Sequence, residues 1–91
     1  MVGYETDKPS LIARLKRIEG QVRGLERMVD EDRYCIDVLT QVNAARAALE
    51  KVGLILLNGH VNHCVAGAIR SGDPGDKVRE LSEAVERFVA G

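Results

Sequence analysis

No proline interrupts the chain between Pro9 and Pro74, and across that interval apolar residues return at alternating spacings of four and three. Leu11, Leu15, Ile18, Val22, Leu25 and Val29 form the first such row. A row with this period is the seam of an α-helix packed lengthwise against other helices. The rhythm breaks at Asp30-Glu31-Asp32, where Asp32 is a candidate N-cap for the next helix. It resumes with Val38, Val42, Ala45, Leu49, Val52, Leu56 and Gly59. Gly53 and Gly59 cost a helix about 1 kcal/mol each relative to alanine but do not force a break. Ser71-Gly72 ends the long helix, and Asp73-Pro74 opens another as an N-cap followed by proline in the first helical position. Its stripe is Val78, Leu81, Val85 and Phe88. The pattern predicts an all-α chain with helices at about 9–30, 34–70 and 74–89, and a flexible lead over 1–8.

Ninety-one residues are expected to form one helical domain spanning 1–91. One very long, one medium and one short helix cannot close an even three-helix bundle. Part of the long helix would keep its apolar seam in water, and such a seam is normally covered by another chain. The simplest cover is an antiparallel dimer in which two copies contribute four helices. Because that dimer is two-fold symmetric, any site it creates occurs twice.

Composition narrows the setting. Two cysteines and no tryptophan exclude a disulfide-dense secreted scaffold. The longest apolar run, Val52 to Leu57, is too short to span a bilayer. The opening residues lack the basic start and apolar stretch of a signal peptide. A reducing cytoplasm is therefore the expected location, with no membrane partner.

The formal net charge of −1 is no signature of a nucleic-acid binder when taken whole. Binding reads patches, however, and the charges are unevenly placed. Between Lys8 and Arg27 the bases Lys8, Arg14, Lys16, Arg17, Arg23 and Arg27 face only Glu19 and Glu26, a balance of +4. Asp30, Glu31, Asp32, Arg33 and Asp37 then give −3, and residues 73–87 give −2. Arg46 and Lys51 add later basic charge. A charge cluster taken by itself is more often a solvated helix face.

Cys35, His60 and Cys64 are the residues that suggest metal chemistry. His60 and Cys64 are four apart and share a helix face, with Cβ atoms about 6 Å from each other. Cys35 precedes His60 by 25 residues, about 37 Å along an unbroken helix. Cys35 therefore cannot meet them in its own chain, but it can in an antiparallel partner. Two thiolates and one imidazole suit Cu(I). With Glu80 or His63 as a fourth ligand, the same set also suits zinc. Each cysteine alone is more often a small buried apolar residue, and each histidine alone a surface or core residue.

At these positions the sequence resembles the copper-sensing CsoR-type repressors. The resemblance is carried by Arg14-Leu15-Lys16-Arg17-Ile18-Glu19-Gly20-Gln21-Val22-Arg23-Gly24, by Asp32-Arg33-Tyr34-Cys35-Ile36-Asp37-Val38-Leu39-Thr40-Gln41 and by His60-Val61-Asn62-His63-Cys64-Val65. It covers about Ser10 to Phe88. It implies an all-α repressor of double-stranded operator DNA, assembled as a dimer of antiparallel dimers. Members answer Cu(I), Ni(II)/Co(II), formaldehyde or persulfides. The copper sensors carry the set matched here by Cys35, His60 and Cys64. The persulfide sensors lack the histidine, the nickel and cobalt sensors replace the last cysteine, and the formaldehyde sensors lack the second thiol.

The resemblance further implies that Tyr34 and Glu80 lie outside the ligand set and couple it to the DNA surface, orienting His60 through its free ring nitrogen. It places Arg14, and less specifically Lys51, against DNA. Lys16, Arg17, Arg23 and Arg46 join them on charge. No helix-turn-helix signature is present, so phosphate contact and shape reading are expected. The expected function is Cu(I)-relieved repression of copper-resistance genes. The alternatives are a thiol-redox or persulfide-responsive repressor of the same fold and a copper buffer without a DNA role. No nucleophile–base–orienter set suggests an enzyme.

Overall fold

The computed structural model describes residues 3–91; Met1 and Val2 lie outside the described residues. Three helices and their connections account for nearly all of it, with no strand among the described residues. Helix α1 is Lys8–Asp30. Helix α2 is Cys35–Arg70, a 36-residue helical span that is α-helical over Cys35–Gly59, π-helical over His60–Val65 and α-helical again over Ala66–Arg70. Helix α3 is Gly75–Ala90. Ahead of α1, Glu5–Asp7 form a 3-10 turn, closed by the Asp7 amide donating to the Tyr4 carbonyl at 2.9 Å. Lys8 already belongs to α1.

The turns correct two cap assignments by the same mechanism. Asp32 is not an N-cap. It takes a left-handed conformation, φ 56°, just past the end of α1. The Asp32 amide donates to the Val29 carbonyl at 3.1 Å and the Arg33 amide to the Met28 carbonyl at 2.9 Å. This pair of bonds satisfies the last carbonyls of α1 and is a Schellman C-cap. At the end of α2 the same pattern recurs around Gly72, φ 86°: its amide donates to Ile69 and that of Asp73 to Ala68. Asp73 is thus consumed in closing α2, and Pro74 caps α3 without a side-chain bond. Tyr34 supplies the carbonyl that accepts the first amide bond of α2, from Val38 at 3.1 Å.

The described residues gather into two compact units. In Lys8–Val52, α1 and the first part of α2 double back as a helical hairpin, so that Ile18 and Ala48 line one recess. The buried residues here are Leu11, Ile18, Ala45 and Val52. Leu15, Val22 and Val29, from the same α1 seam, stay exposed, as do Ile36, Leu39 and Leu49. A hairpin can cover only the residues that point at its partner, so half of the α1 seam is left facing solvent in a single chain.

The other unit is Gly53–Gly91 with the described residues 3–7. Helix α3 packs against the π-helical turn, and Val65 is buried. The Phe88 ring rests on Gly53, where an added Cβ would lie 2.5 Å from the ring. At the other end, Gly3 is buried against Gly59. A Cβ at Gly3 would stand 2.5 Å from the Gly59 carbonyl oxygen and 3.1 Å from Cys64 Sγ.

Helix α2 is long and apolar enough to cross a membrane by length and composition, which the Val52–Leu57 run alone did not suggest. Its second half nevertheless carries Asn58, His60, Asn62 and His63. Burying four such polar groups in hydrocarbon is costly.

Candidate metal centre

The π-helical turn holds three of the residues that sequence reasoning singled out. His60 opens it, and His63 and Cys64 lie within it. Six residues wound with i→i+5 bonding make a wide turn of a kind that is rare and occurs mostly at functional sites. Four residues advance slightly more than a full turn in an α-helix and slightly less in this wider one. His60 and Cys64 therefore remain on one face in either winding. The Cys64 thiol and His60 are half-buried, whereas His63 is exposed.

Cys35 is the first residue of α2, and its thiol is free and exposed. It borders an open recess lined by Val29, Asp32, Arg33, Val38 and Leu39. Among the described residues, no three His, Cys, Asp or Glu side chains of the chain come together in a way that could hold a metal ion. The chemistry of the donors fits a soft cation, since thiolate and imidazole select Cu(I) over hard ions.

Tyr34 lies in the turn before α2 with its side chain exposed. Glu80, on α3, is engaged by Lys77 Nζ at 3.7 Å, and among the described residues no hydrogen bond joins it to His60. With both partners about half exposed, that ion pair holds Glu80 only weakly.

The basic residues behave differently. All three ion pairs among the described residues lie within α3: Lys77–Glu80, Arg79–Asp76 and Arg87–Glu83. Lys16, Arg17, Arg23, Arg46 and Lys51 are exposed, and none is paired among the described residues. Arg14 is half-buried and lines a recess with Arg17, Ile18, Gln21 and Ala48. Sequence reasoning passed over Gln21. The signal was present in its spacing, four residues from Arg17 and seven from Arg14 on one helix face.

Residues 7–87 match the family described as metal-sensitive transcriptional repressors. The chain belongs to that family. Among the relatives of this metal-sensitive repressor, the copper-sensing transcriptional repressor RicR of Mycobacterium tuberculosis is 51% identical over 89 residues, covering 96% of this chain and 93% of its own length. The crystal structure of the copper-sensing repressor CsoR with Cu(I) from Geobacillus thermodenitrificans superposes with a TM-score of 0.88 at 49% identity, covering 93% of this chain and 88% of that one. The nickel-responsive regulator InrS superposes with a TM-score of 0.78 at 44% identity, covering 88% of this chain and 90% of that one. Family and fold are thus shared by proteins named for different metals, and the donor set must distinguish among them.

Proposed function

We propose that this member of the metal-sensitive repressor family is a Cu(I)-responsive transcriptional repressor. Its residues act as one 91-residue functional domain in the cytoplasm, repeated in a dimer of antiparallel dimers. Cys35 of one copy, with His60 and Cys64 of the partner subunit, would hold the ion. Cu(I) supplies a thiophilic centre of low coordination number that two thiolates and one imidazole satisfy. The observation that carries this reading is the donor set itself, placed at Cys35 and at His60–Cys64 of one unbroken helical span. The names of the relatives point to the same metal.

In this reading Tyr34 and Glu80 orient the ligand set, and the weak hold of Lys77 leaves Glu80 free to turn toward it. The unpaired bases Arg14, Lys16, Arg17, Arg23, Arg46 and Lys51 meet the phosphates of double-stranded operator DNA. The function is binding and switching, not catalysis. Cu(I) lowers DNA affinity and relieves repression of copper-resistance genes. By linkage, DNA lowers Cu(I) affinity by the same factor.

The test is an anaerobic Cu(I) titration with DNA binding read in the same sample. Stoichiometric Cu(I) releasing the DNA is the expected result; Cu(I) uptake with unchanged DNA binding would leave a copper buffer. A second reading is favoured by the exposed Cys35 thiol. If oxidant or persulfide releases DNA in the presence of a copper chelator, the inducer is a thiol modifier.

A further inference from the structure

The recess beside Arg14 has a composition that the metal site does not explain. Its volume is about 120 Å³, it opens to solvent, and it is lined by Arg14, Arg17, Gln21, Ile18 and Ala48. Two arginines and one glutamine line it together with two apolar residues, and no acidic residue takes part. The acids nearest in sequence, Glu19 and Glu26, are placed elsewhere on the helix. Glu19 stands two residues from both Arg17 and Gln21, a spacing that does not face. None of the three ion pairs among the described residues reaches this recess.

Arg14 sharpens the point. Its Nε is buried and has no hydrogen-bond partner among the described residues. A buried N–H without an acceptor is costly, and a guanidinium is a planar fork suited to two oxygens of one oxyanion. Arg14, Arg17 and Gln21 follow at i, i+3 and i+7, a single row on α1. The next place in that row is Gly24, where an added Cβ would meet nothing within 4 Å. The row thus runs from two cations, unpaired among the described residues, through a neutral amide to a glycine, which leaves room for an extended anionic chain to lie close.

We infer that the Arg14–Arg17–Gln21 recess is a seat for one backbone phosphate of double-stranded DNA, with Gln21 as its neutral hydrogen-bonding wall. This deepens the repressor reading and rests on it. A phosphodiester carries one negative charge, and an amide beside two cations adds donors without adding charge. The seat carries no sequence information, so it sets register and affinity on any duplex.

Gln21 is exposed, so its substitution leaves the fold intact. The decisive property is the sign of the response to charge. Gln21→Glu is expected to weaken binding to a duplex of arbitrary sequence about tenfold at low salt, whereas Gln21→Lys strengthens it and steepens the salt dependence by about one released ion per seat. Oligomeric mass and Cu(I) stoichiometry stay at wild-type values in both. A purely structural role would make both variants weaker, with altered mass, and would overturn the assignment. If wild-type DNA binding answers Cu(I) while both Gln21 variants stay within about twofold of it, only the seat is overturned. If wild-type protein does not bind duplex DNA, the repressor reading fails as well. Inorganic phosphate at constant ionic strength separates the sources. Competition beyond that of chloride, lost in Gln21→Glu, supports an oxyanion seat. Gln21-dependent phosphate binding without any Gln21 effect on DNA would overturn the DNA assignment.

Discussion

Gly20 and Gly53 are both helical glycines, yet their surroundings predict opposite responses to the same substitution. At Gly20 an added Cβ meets nothing within 4 Å, and at Gly53 it meets the Phe88 ring at 2.5 Å. Gly20→Ala is expected to stabilise the fold by about 1 kcal/mol, because alanine loses less backbone entropy on entering a helix. Gly53→Ala should destabilise it despite the same propensity gain, because Phe88 must leave its place. Thermal unfolding of the two variants side by side reads the difference. Asp32 offers a third case. It holds φ 56° at the end of α1, a conformation that costs a residue with a Cβ about 1–2 kcal/mol. Asp32→Gly removes that cost, and a net gain of about 1 kcal/mol is expected from denaturant midpoints at unchanged slope. No gain would show that the Asp32 side chain contributes a compensating bond.

At the scale of elements, periodicity read the helices well and their junctions poorly. The 4-3 spacing of Leu11 to Val29 and of Val38 to Gly59 locates α1 and α2, because the spacing of apolar residues is what packing selects. Asp32 and Asp73 misled because an acidic residue between two helices can close the first or open the second. Backbone geometry alone decides, and in both cases the preceding helix takes the residue. The π-helical turn at His60–Val65 left no mark in the apolar pattern, since a change from i→i+4 to i→i+5 bonding alters no residue type. Helix α1 also carries a prediction of its own. Its bases are unpaired, in contrast to those of α3, so their charge remains available to phosphates. Arg14→Ala should weaken DNA binding and lower the salt slope by about 0.9 for each phosphate it no longer neutralises, without changing Cu(I) affinity. Equal salt slopes for the variant and wild type would remove Arg14 from the DNA-binding surface.

For the whole molecule, the decisive question is whether Cys35, His60 and Cys64, which are not brought together among the described residues of one chain, meet between two copies. The candidate ligands are readable as residue types, and the proposal that two copies share them rests on the length of one helix. The roles proposed for Tyr34 and Glu80 are less readable, because among the described residues Tyr34 is exposed and Glu80 pairs only with Lys77. Leu15, Val22 and Val29 leave half of the α1 seam exposed, an apolar area that the proposed assembly would cover. Subunit exchange turns this into a count. Cys35→Ala and Cys64→Ala chains should each bind Cu(I) poorly, since every site in either homodimer lacks one thiol. In a mixed dimer, one site combines the intact Cys35 of the second variant with the intact His60 and Cys64 of the first. The other site lacks both thiols. With free exchange at equal concentrations, half the dimers are mixed and each holds one complete site. Tight Cu(I) binding should therefore return to about a quarter of the wild-type capacity. If both ligand groups belonged to the same chain, mixing would restore nothing, and equilibrium titration of the mixed sample against each variant alone distinguishes the two.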